Sequence, residues 1–302
     1  MHKMTFMRGA ALAIAVALAG LAASPAIAAG VKFGVYDPAN AFAQVPGIDI
    51  QHFYMGLQDS NQGKLSEQLG AANQLGRQVL VTLEPWTTAA DRKAGEATLL
   101  SDISSGAYDQ SIAATCTKLA SFKRAPLIRF AQEMEDTRDV FPWGGKPPAD
   151  YIAAFRHVAV ACKARAPEAK FIWSPAHVAD AVAYYPGSDV VDYIGVSVFG
   201  LQKWDVTNRG KMISARQHIA ESLYKGDQFK KPYIVSEFGF SGGNAERARW
   251  LHEVAQWRKG TDVPPGLYAV VYFDAPESFS WPAPYGAPDW RITPKELLTA
   301  QR

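Results

Sequence analysis

The segment Pro126–Glu133 reads PLIRFAQE, a short apolar run that ends on polar and charged residues. Runs of this length, rich in β-branched and aromatic residues, are typical of β-strands buried inside a protein. The chain contains eight such runs, which is the observation that decides the fold. They are Val31–Tyr36, Ile48–Met55, Gln78–Leu83, Pro126–Glu133, Lys170–Trp173, Val190–Phe199, Tyr233–Phe238 and Leu267–Phe273.

Several stretches between these runs have the apolar spacing of helices, namely Leu65–Leu75, Ile112–Phe122, Tyr151–Ala164, Ile213–Leu223 and Ala245–Trp257. Strands that alternate with helices pair in parallel, and eight such units fit about 250 residues. We therefore predict an α/β fold, a (β/α)8 TIM barrel formed by one domain over residues 29–302. An open doubly wound sheet is the alternative, but residues 31–38, VKFGVYDP, lack the glycine-rich loop of such sheets.

Residues 1–28 predict a signal peptide. Lys3 and Arg8 precede the apolar run Ala10–Ala23, and Ala26 and Ala28 form an Ala-x-Ala cleavage site. A membrane anchor is the alternative, but the run is shorter than the roughly 18 to 20 residues that span a bilayer. We expect cleavage after Ala28 and a protein that is secreted or periplasmic, with no membrane contact after cleavage.

The composition excludes several classes of protein. The chain has 302 residues, 48% of them hydrophobic, so it can bury a full core and is neither disordered nor a disulfide-dependent miniprotein. Because Lys3 and Arg8 account for the formal net charge of +2, the chain after residue 28 is neutral. Its basic residues form no stripe, so we expect no nucleic-acid partner. A neutral chain suits an uncharged polymer.

The chain contains two cysteines, Cys116 and Cys162, each within a helical pattern. In an oxidising compartment a disulfide between neighbouring helices is one interpretation. Two buried free thiols are the other, because the sequence does not give the distance between the two Cα atoms.

Carboxylates occur at the predicted ends of three strands, as Glu84, Glu133 and Glu237. In TIM barrels the chemistry lies at the C-terminal ends of the strands. Glu133 and Glu237 follow strands four and seven, which lie nearly opposite each other, so the two carboxyl groups are expected to face each other across a cleft. Cleavage of a glycosidic bond requires such a pair, one protonated and one ionised. Glu84 is either a ligand of a sugar hydroxyl or the start of a helix.

Arg129 precedes Glu133 by four residues, and positions i and i+4 of a strand share a face. We therefore expect Arg129 deeper in the barrel on the same side, where its charge would keep Glu237 ionised as the nucleophile and leave Glu133 as the acid. The alternative is an arginine that only neutralises a buried carboxylate.

Sugar rings stack on aromatic side chains, and several aromatic residues fall in the predicted loops after strands. We predict substrate contacts from Trp86, Trp143, Phe199, Tyr272, Trp281 and Trp290, with core packing as the alternative for each. His177, just past strand five, is expected to be a subsite contact or a surface residue.

An ordered set of motifs resembles glycoside hydrolase family 26. The set comprises RFAQEM at 129–134, FPWG at 141–144, the helix at 151–157, WSP at 173–175, YPG at 185–187, VDYIG at 191–195, KP at 231–232, SEFG at 236–239 and DWRI at 289–292. This family includes β-mannanases, lichenase-like β-glucanases and β-1,3-xylanases. The resemblance implies a retaining barrel enzyme with Glu133 as acid/base and Glu237 as nucleophile.

The chain departs from the family pattern at three positions. The family usually has histidine before the acid/base glutamate and asparagine two residues after it, where this chain has Gln132 and Glu135. Gln132 can donate a hydrogen bond, as expected of a substrate-binding residue, but it does not titrate. Phe199 stands where a tyrosine is often found near the nucleophile.

The sequence thus predicts a secreted, endo-acting retaining β-glycanase that hydrolyses β-mannan, β-glucan or bacterial exopolysaccharide. The expected partner is the polysaccharide, and no cofactor or metal is expected. A non-catalytic polysaccharide-binding or assembly protein on the same barrel is the alternative, suggested by Gln132 and Glu135. A metal-dependent hydrolase is a weaker alternative, because the acidic residues near 133–139 lack the spacing of a calcium loop and the histidines are scattered.

Expression of the full chain in a Gram-negative host with a functioning export pathway tests the signal peptide. We expect the exported protein to begin at Ala29, because small residues at 26 and 28 define the cleavage site. Intact-mass measurement and N-terminal sequencing check this. Retention of residues 1–28 in a membrane fraction would instead indicate an anchor.

Overall fold

The computed structural model describes residues 30–58, 61–86 and 96–302. The expected signal peptide, residues 1–28, lies outside the described residues, so its cleavage stays a prediction. Within the described ranges, no helix is long and apolar enough to cross a membrane.

Eight parallel strands form a closed barrel in chain order across the described residues. They are β1 (Lys32–Tyr36), β2 (Ile50–Gly56), β3 (Gln78–Glu84), β4 (Leu127–Phe130), β5 (Lys170–Trp173), β6 (Tyr193–Leu201), β7 (Tyr233–Ser241) and β8 (Leu267–Phe273). Pairing of β1 with β8 along Lys32↔Ala269 to Tyr36↔Phe273 closes the barrel. The TIM-barrel prediction is confirmed. The open doubly wound sheet is excluded, because in such a sheet β1 and β8 would not pair with each other.

The helices are α1 (Gln62–Gln74), α2 (Leu99–Ser104), α3 (Asp109–Ala120), α4 (Pro148–Lys163), α5 (Val178–Ala181), α6 (Gln202–Arg209), α7 (Ala215–Ser222), α8 (Asn244–Arg258) and α9 (Pro294–Ala300). The five predicted helices correspond to α1, α3, α4, α7 and α8. Helices α2, α5, α6 and α9 were not predicted. Helices α2, α5 and α9 have four to seven residues, too few to show a clear apolar period, and α6, QKWDVTNR, is mostly polar.

The barrel interior is layered. One buried apolar cluster is formed by Ile50, Leu80, Leu127, Ile172, Ile234, Ala269 and Val271. Since side chains alternate along a strand, the residues two positions beyond Ile50, Leu80 and Leu127 also point inward and form the next layer toward the C-terminal mouth. That layer is polar and includes His52, Thr82 and Arg129, all buried. The polar layer lies directly beneath the strand ends where the sequence places its carboxylates.

Strand β4 ends at Phe130, three residues earlier than predicted. Ala131 has φ 46° and Glu133 has φ 53°, both in the left-handed region. Strand alternation therefore does not extend from Arg129 to Glu133, and the prediction that it places both side chains on one face is wrong. A tight left-handed turn, which costs backbone strain, orients Glu133 instead.

A disulfide joins Cys116 in α3 to Cys162 in α4, with 5.2 Å between the two Cα atoms. Both cysteines are buried. Of the two interpretations that the sequence left open, the structure has the disulfide.

We expect the variant Cys116→Ala/Cys162→Ala to lose about 2–4 kcal/mol of unfolding free energy, because the bridge closes a loop whose ends are 46 residues apart. Urea unfolding of the oxidised wild type and the double variant measures the loss. Dithiothreitol should destabilise the wild type and leave the double variant unchanged. Equal stability of the two proteins under oxidising conditions would contradict the prediction.

Candidate active site

Glu237 lies on β7 beside a β-bulge. The register between β6 and β7 passes from Val196↔Val235 to Ser197↔Glu237, which leaves Ser236 without a counterpart on β6. A bulge adds one residue to a strand and re-aims the side chains that follow it. After this bulge, Glu237 is level with Ser197, and its carboxylate reaches the groups that line the barrel mouth.

Arg129 is fully buried and binds Glu237 directly. Its Nη1 donates to Glu237 Oε1, and its Nε donates to Ser174 Oγ at 2.9 Å. Burial is the largest influence and lowers the pKa of Arg129, but the charges of Glu237 and of other acidic groups, together with the hydrogen bond to Glu237, outweigh it and raise the pKa above its ordinary value. The guanidinium is therefore a fixed positive charge at this oxygen.

Tyr54 is a second donor to Glu237, and the sequence analysis did not single it out. Its hydroxyl donates to Glu237 Oε1 at 2.7 Å. Burial and then the charge of Glu237 raise the pKa of Tyr54 well above its usual value, so the phenol keeps its proton. The alternation of His52 and Tyr54 near the end of β2 is a signal that could have identified it.

Glu133 lies past the end of β4 and is held at both its backbone and its side chain. Its backbone N–H donates to Ser174 O at 2.8 Å, and Ser197 Oγ donates to Glu133 Oε1 at 2.7 Å. Burial raises the pKa of Glu133 to about 7, and the charge of Glu237 acts in the same direction, while Arg129 opposes both. Glu133 thus holds a proton up to near-neutral pH.

Ser197 lies next to both glutamates. It is paired in register with Glu237 and donates to Glu133. Neighbouring strands lie about 4.8 Å apart, so both side chains occupy the same part of the barrel mouth. The surroundings of the two carboxyl groups differ. Glu237 accepts hydrogen bonds from a guanidinium and a phenol, whereas Glu133 accepts one from a neutral hydroxyl.

Glu84 ends β3 and has both carboxylate oxygens hydrogen-bonded. Gln132 Nε2 donates to Oε1 at 2.8 Å, and Trp86 Nε1 donates to Oε2 at 3.0 Å. Burial raises the pKa of Glu84 above its usual value, and these two donors oppose that rise. The structure therefore brings three of the predicted site residues into one hydrogen-bonded group, with Glu84 as the end of a strand rather than the start of a helix.

The predicted aromatic contacts divide into two groups. Trp86, Phe199 and Trp281 are half-buried and accessible. Trp143 and Trp290 are fully buried, which does not fit the predicted direct contact with a substrate. Their indole rings pack beneath the accessible ones, with ring centroids 5.2 Å apart for Trp86 and Trp143 and 4.7 Å apart for Phe199 and Trp290.

Tyr272 is also fully buried, and its predicted contact with a substrate does not fit the structure. Its neighbour Val271 belongs to the inner layer of the barrel, so alternation turns Tyr272 outward. There its hydroxyl donates to Trp290 O at 2.7 Å. The same alternation could have been read from the sequence of β8.

His177 is exposed, and its backbone N–H donates to Glu135 Oε1 at 2.8 Å. Burial raises the pKa of Glu135 to about 7, and backbone donors, that of His177 first, oppose the rise. Glu135 thus links the loop after β4 to the loop after β5. In the described ranges, no group of three or more His, Cys, Asp or Glu side chains is arranged to hold a metal ion.

Replacement of Glu133 by glutamine should change stability in a pH-dependent way. Because the pKa of Glu133 rises from 4.5 to about 7 on folding, the wild type loses stability as the pH rises through this range. A glutamine at this position has no charge to bury, so we expect Glu133→Gln to be more stable than the wild type by about 1–3 kcal/mol at pH 8 and by much less at pH 5.

Urea unfolding at both pH values measures this difference. Glu67→Gln, at an exposed position of α1, is the matched control and should give the same small difference at both pH values. A Glu133→Gln variant that is less stable than the wild type at pH 8 would contradict the prediction.

No protein-family model matches the chain. Among curated proteins it is 24% identical over 211 residues to a β-1,3-xylanase of a Vibrio species, covering 63% of this chain and 44% of that protein. It is also 24% identical over 242 residues to endoglucanase H of Acetivibrio thermocellus, covering 75% of this chain and 24% of that protein. The chain spans less than half the length of these curated relatives.

Solved structures share the fold at low sequence identity. A family 26 β-mannanase of Bacteroides ovatus superposes with a TM-score of 0.59 and 15% identity, covering 91% of this chain and 89% of that one. Xylanase 10B of Thermotoga maritima gives a TM-score of 0.55 and 13% identity, covering 90% and 95%. The chain thus shares the TIM-barrel fold of these two structures, one of which belongs to the family that the motifs resemble.

Proposed function

We propose that the protein is a glycoside hydrolase of the family 26 type, a retaining β-glycanase that cleaves internal bonds of a β-linked polysaccharide. The observation that carries the proposal is the pair of carboxyl groups on either side of Ser197. Glu237 accepts hydrogen bonds from a charged guanidinium, whereas Glu133 binds a neutral hydroxyl and has a pKa raised to about 7 by burial and by Glu237. Two carboxyl groups in opposite protonation states are the requirement of double displacement.

In the first step the Glu237 carboxylate attacks the anomeric carbon. The bond from this carbon to the glycosidic oxygen breaks, its electron pair stays with the departing oxygen, and that oxygen takes the proton of Glu133. The product is a glycosyl ester on Glu237 and an ionised Glu133.

In the second step Glu133 removes a proton from water, and the water oxygen bonds to the anomeric carbon. The ester bond breaks and its electron pair returns to the Glu237 carboxylate. Two inversions at one carbon leave the β-configuration of the substrate unchanged. A retaining pair is expected to have carboxyl groups about 5 Å apart.

The surroundings of the pair support a neutral polysaccharide as substrate. Trp86, Phe199 and Trp281 offer accessible aromatic faces for sugar rings, and half-buried Glu84 offers a carboxylate beside Trp86. Gln132 is buried and positions Glu84, which does not fit its predicted direct contact with a substrate. The chain after residue 28 is neutral and the candidate site is lined with carboxylates, which disfavours an acidic polymer. Two curated relatives are named β-1,3-xylanase and endoglucanase, and one structural neighbour is named β-mannanase. We therefore propose β-1,3-xylan, β-glucan and β-mannan as the polymers to test, together with the bacterial exopolysaccharide predicted from the sequence.

Removal of each carboxyl group tests the proposed roles. We expect wild type to release reducing ends from at least one of these polymers, and Glu237→Ala to lose activity by about 1,000-fold or more, as when a nucleophile is removed. Glu133→Ala should lose about 100- to 10,000-fold, the range for general acid–base catalysis. Glu67→Ala, at an exposed position, is the control and should retain activity.

Azide distinguishes the two roles. On an activated aryl glycoside, azide should rescue Glu133→Ala with a β-glycosyl azide, because azide attacks the ester on Glu237 in place of water. It should rescue Glu237→Ala with an α-glycosyl azide, because azide then attacks the substrate directly. Proton NMR shows which anomer of the product forms first. Initial formation of the α-anomer by wild type would contradict retention. Binding of a polymer with no cleavage by any variant or wild type would instead favour a polysaccharide-binding protein.

A further inference from the structure

The two oxygens of the Glu237 carboxylate have different surroundings. Oε1 accepts both hydrogen bonds that the described residues donate to this side chain, one from Tyr54 at 2.7 Å and one from Arg129. Oε2 accepts none from the described residues. An oxygen that accepts two hydrogen bonds has less electron density available for attack than one that accepts none, so the two oxygens are chemically distinct.

Packing fixes the position of the Tyr54 hydroxyl. Strands β1 and β8 separate β2 from β7, so the phenol reaches Glu237 across the barrel mouth. The Tyr54 ring meets the Tyr36 ring edge-on with centroids 4.8 Å apart, and the His52 ring with centroids 4.6 Å apart. A side chain held on two sides loses little further freedom when its hydroxyl binds the carboxylate.

On the basis of the proposed function, we infer that Tyr54 is a positioning residue that holds Glu237 Oε1 as the non-attacking oxygen and leaves Oε2 to bond with the anomeric carbon. This inference also explains how the chain manages with Phe199 at the end of β6, where the resemblance leads one to expect a tyrosine near the nucleophile. The ring of Phe199 has no donor, whereas Tyr54 supplies a phenol from β2.

The inference assigns Tyr54 a specific part in each step. When Oε2 bonds to the anomeric carbon, Oε1 becomes the carbonyl oxygen of the ester. When water displaces the carboxylate, the electron pair of the bond between the anomeric carbon and Oε2 returns to Glu237, and the negative charge is shared again with Oε1. A donor at Oε1 stabilises this charge as it forms. Loss of the Tyr54 hydroxyl should therefore slow the second step most clearly.

The test measures that step in isolation with 2,4-dinitrophenyl 2-deoxy-2-fluoro-β-glycosides of mannobiose, cellobiose and xylobiose. These compounds should label wild type at Glu237, which peptide mass spectrometry identifies. After removal of excess reagent, the return of activity measures hydrolysis of the ester. We expect Tyr54→Phe to be labelled but to recover about 10- to 100-fold more slowly, the effect of losing one hydrogen bond to a charged group.

Tyr268→Phe is the matched control. Tyr268 lies near the start of β8, at the opposite end of the barrel. There its hydroxyl accepts a hydrogen bond from Lys32 Nζ at 2.7 Å and donates one to Gln78 Oε1 at 3.2 Å. Its loss removes hydrogen bonds of a barrel tyrosine without touching Glu237, so recovery should match wild type. On an activated non-fluorinated aryl glycoside, Tyr54→Phe should lower kcat and KM together, because the ester accumulates.

Recovery of Tyr54→Phe at the wild-type rate would overturn the inference and leave the proposed function standing. A Tyr54→Phe variant with raised KM and normal recovery would also overturn it, since that pattern indicates an effect on substrate binding alone. Absence of labelling at Glu237 in wild type, with all three reagents, would overturn the proposed function itself and this inference with it.

Discussion

The polar part of the barrel interior is arranged around the contact between Arg129 and Glu237. A fully buried guanidinium is costly to desolvate unless a counter-charge and further acceptors surround it. Glu237 supplies the charge and Ser174 accepts from Nε. Burial, and then the charge of Arg129, lower the pKa of His52, so this imidazole is neutral and shares a hydrogen bond of 2.8 Å with Thr82. A layer that in many barrels is apolar is here organised around one positive charge.

The backbone adapts to that layer at two places on neighbouring strands. A Cβ at Gly195 would lie 2.6 Å from Ser236 Oγ and 2.7 Å from Ser174 Oγ, so any side chain at this position would displace the groups around Arg129. The bulge at Ser236 lets β7 present Glu237 at the level of Ser197. Regular pairing and a larger residue at 195 would build a more uniform barrel wall, but they would not bring the carboxylate to the guanidinium. Such local departures from regular structure are characteristic of functional sites.

The sequence was sufficient for the strands and for the acidic residues at their ends, because eight buried runs of β-branched residues separated by helical stretches are compatible with few other folds. It was insufficient wherever the outcome depended on contacts between distant strands. Alternation in β2 predicts that Tyr54 faces the same side as His52, but its partner Glu237 is 183 residues away and no local pattern predicts that hydrogen bond. The left-handed residues Ala131 and Glu133 are held by backbone hydrogen bonds to Leu83 in β3 and to Ser174 just after β5, so strand alternation does not reach Glu133. Tyr272 was a different case, since alternation in β8 already pointed it outward.

The charges at the barrel mouth explain why one carboxyl group keeps its proton. Two carboxyl groups face one fully buried cation, and Arg129 gives its hydrogen bond to Glu237. The charge of Arg138 also interacts with Glu133, but its guanidinium is bound to Asp136 through contacts of 2.7 to 3.1 Å. With no second free cation among the described neighbours of Glu133, ionisation of both carboxyl groups would leave an uncompensated negative charge in a buried site. Retaining a proton on Glu133 costs less free energy, so the placement of a single arginine sets the difference in protonation on which the proposed division into acid and nucleophile rests.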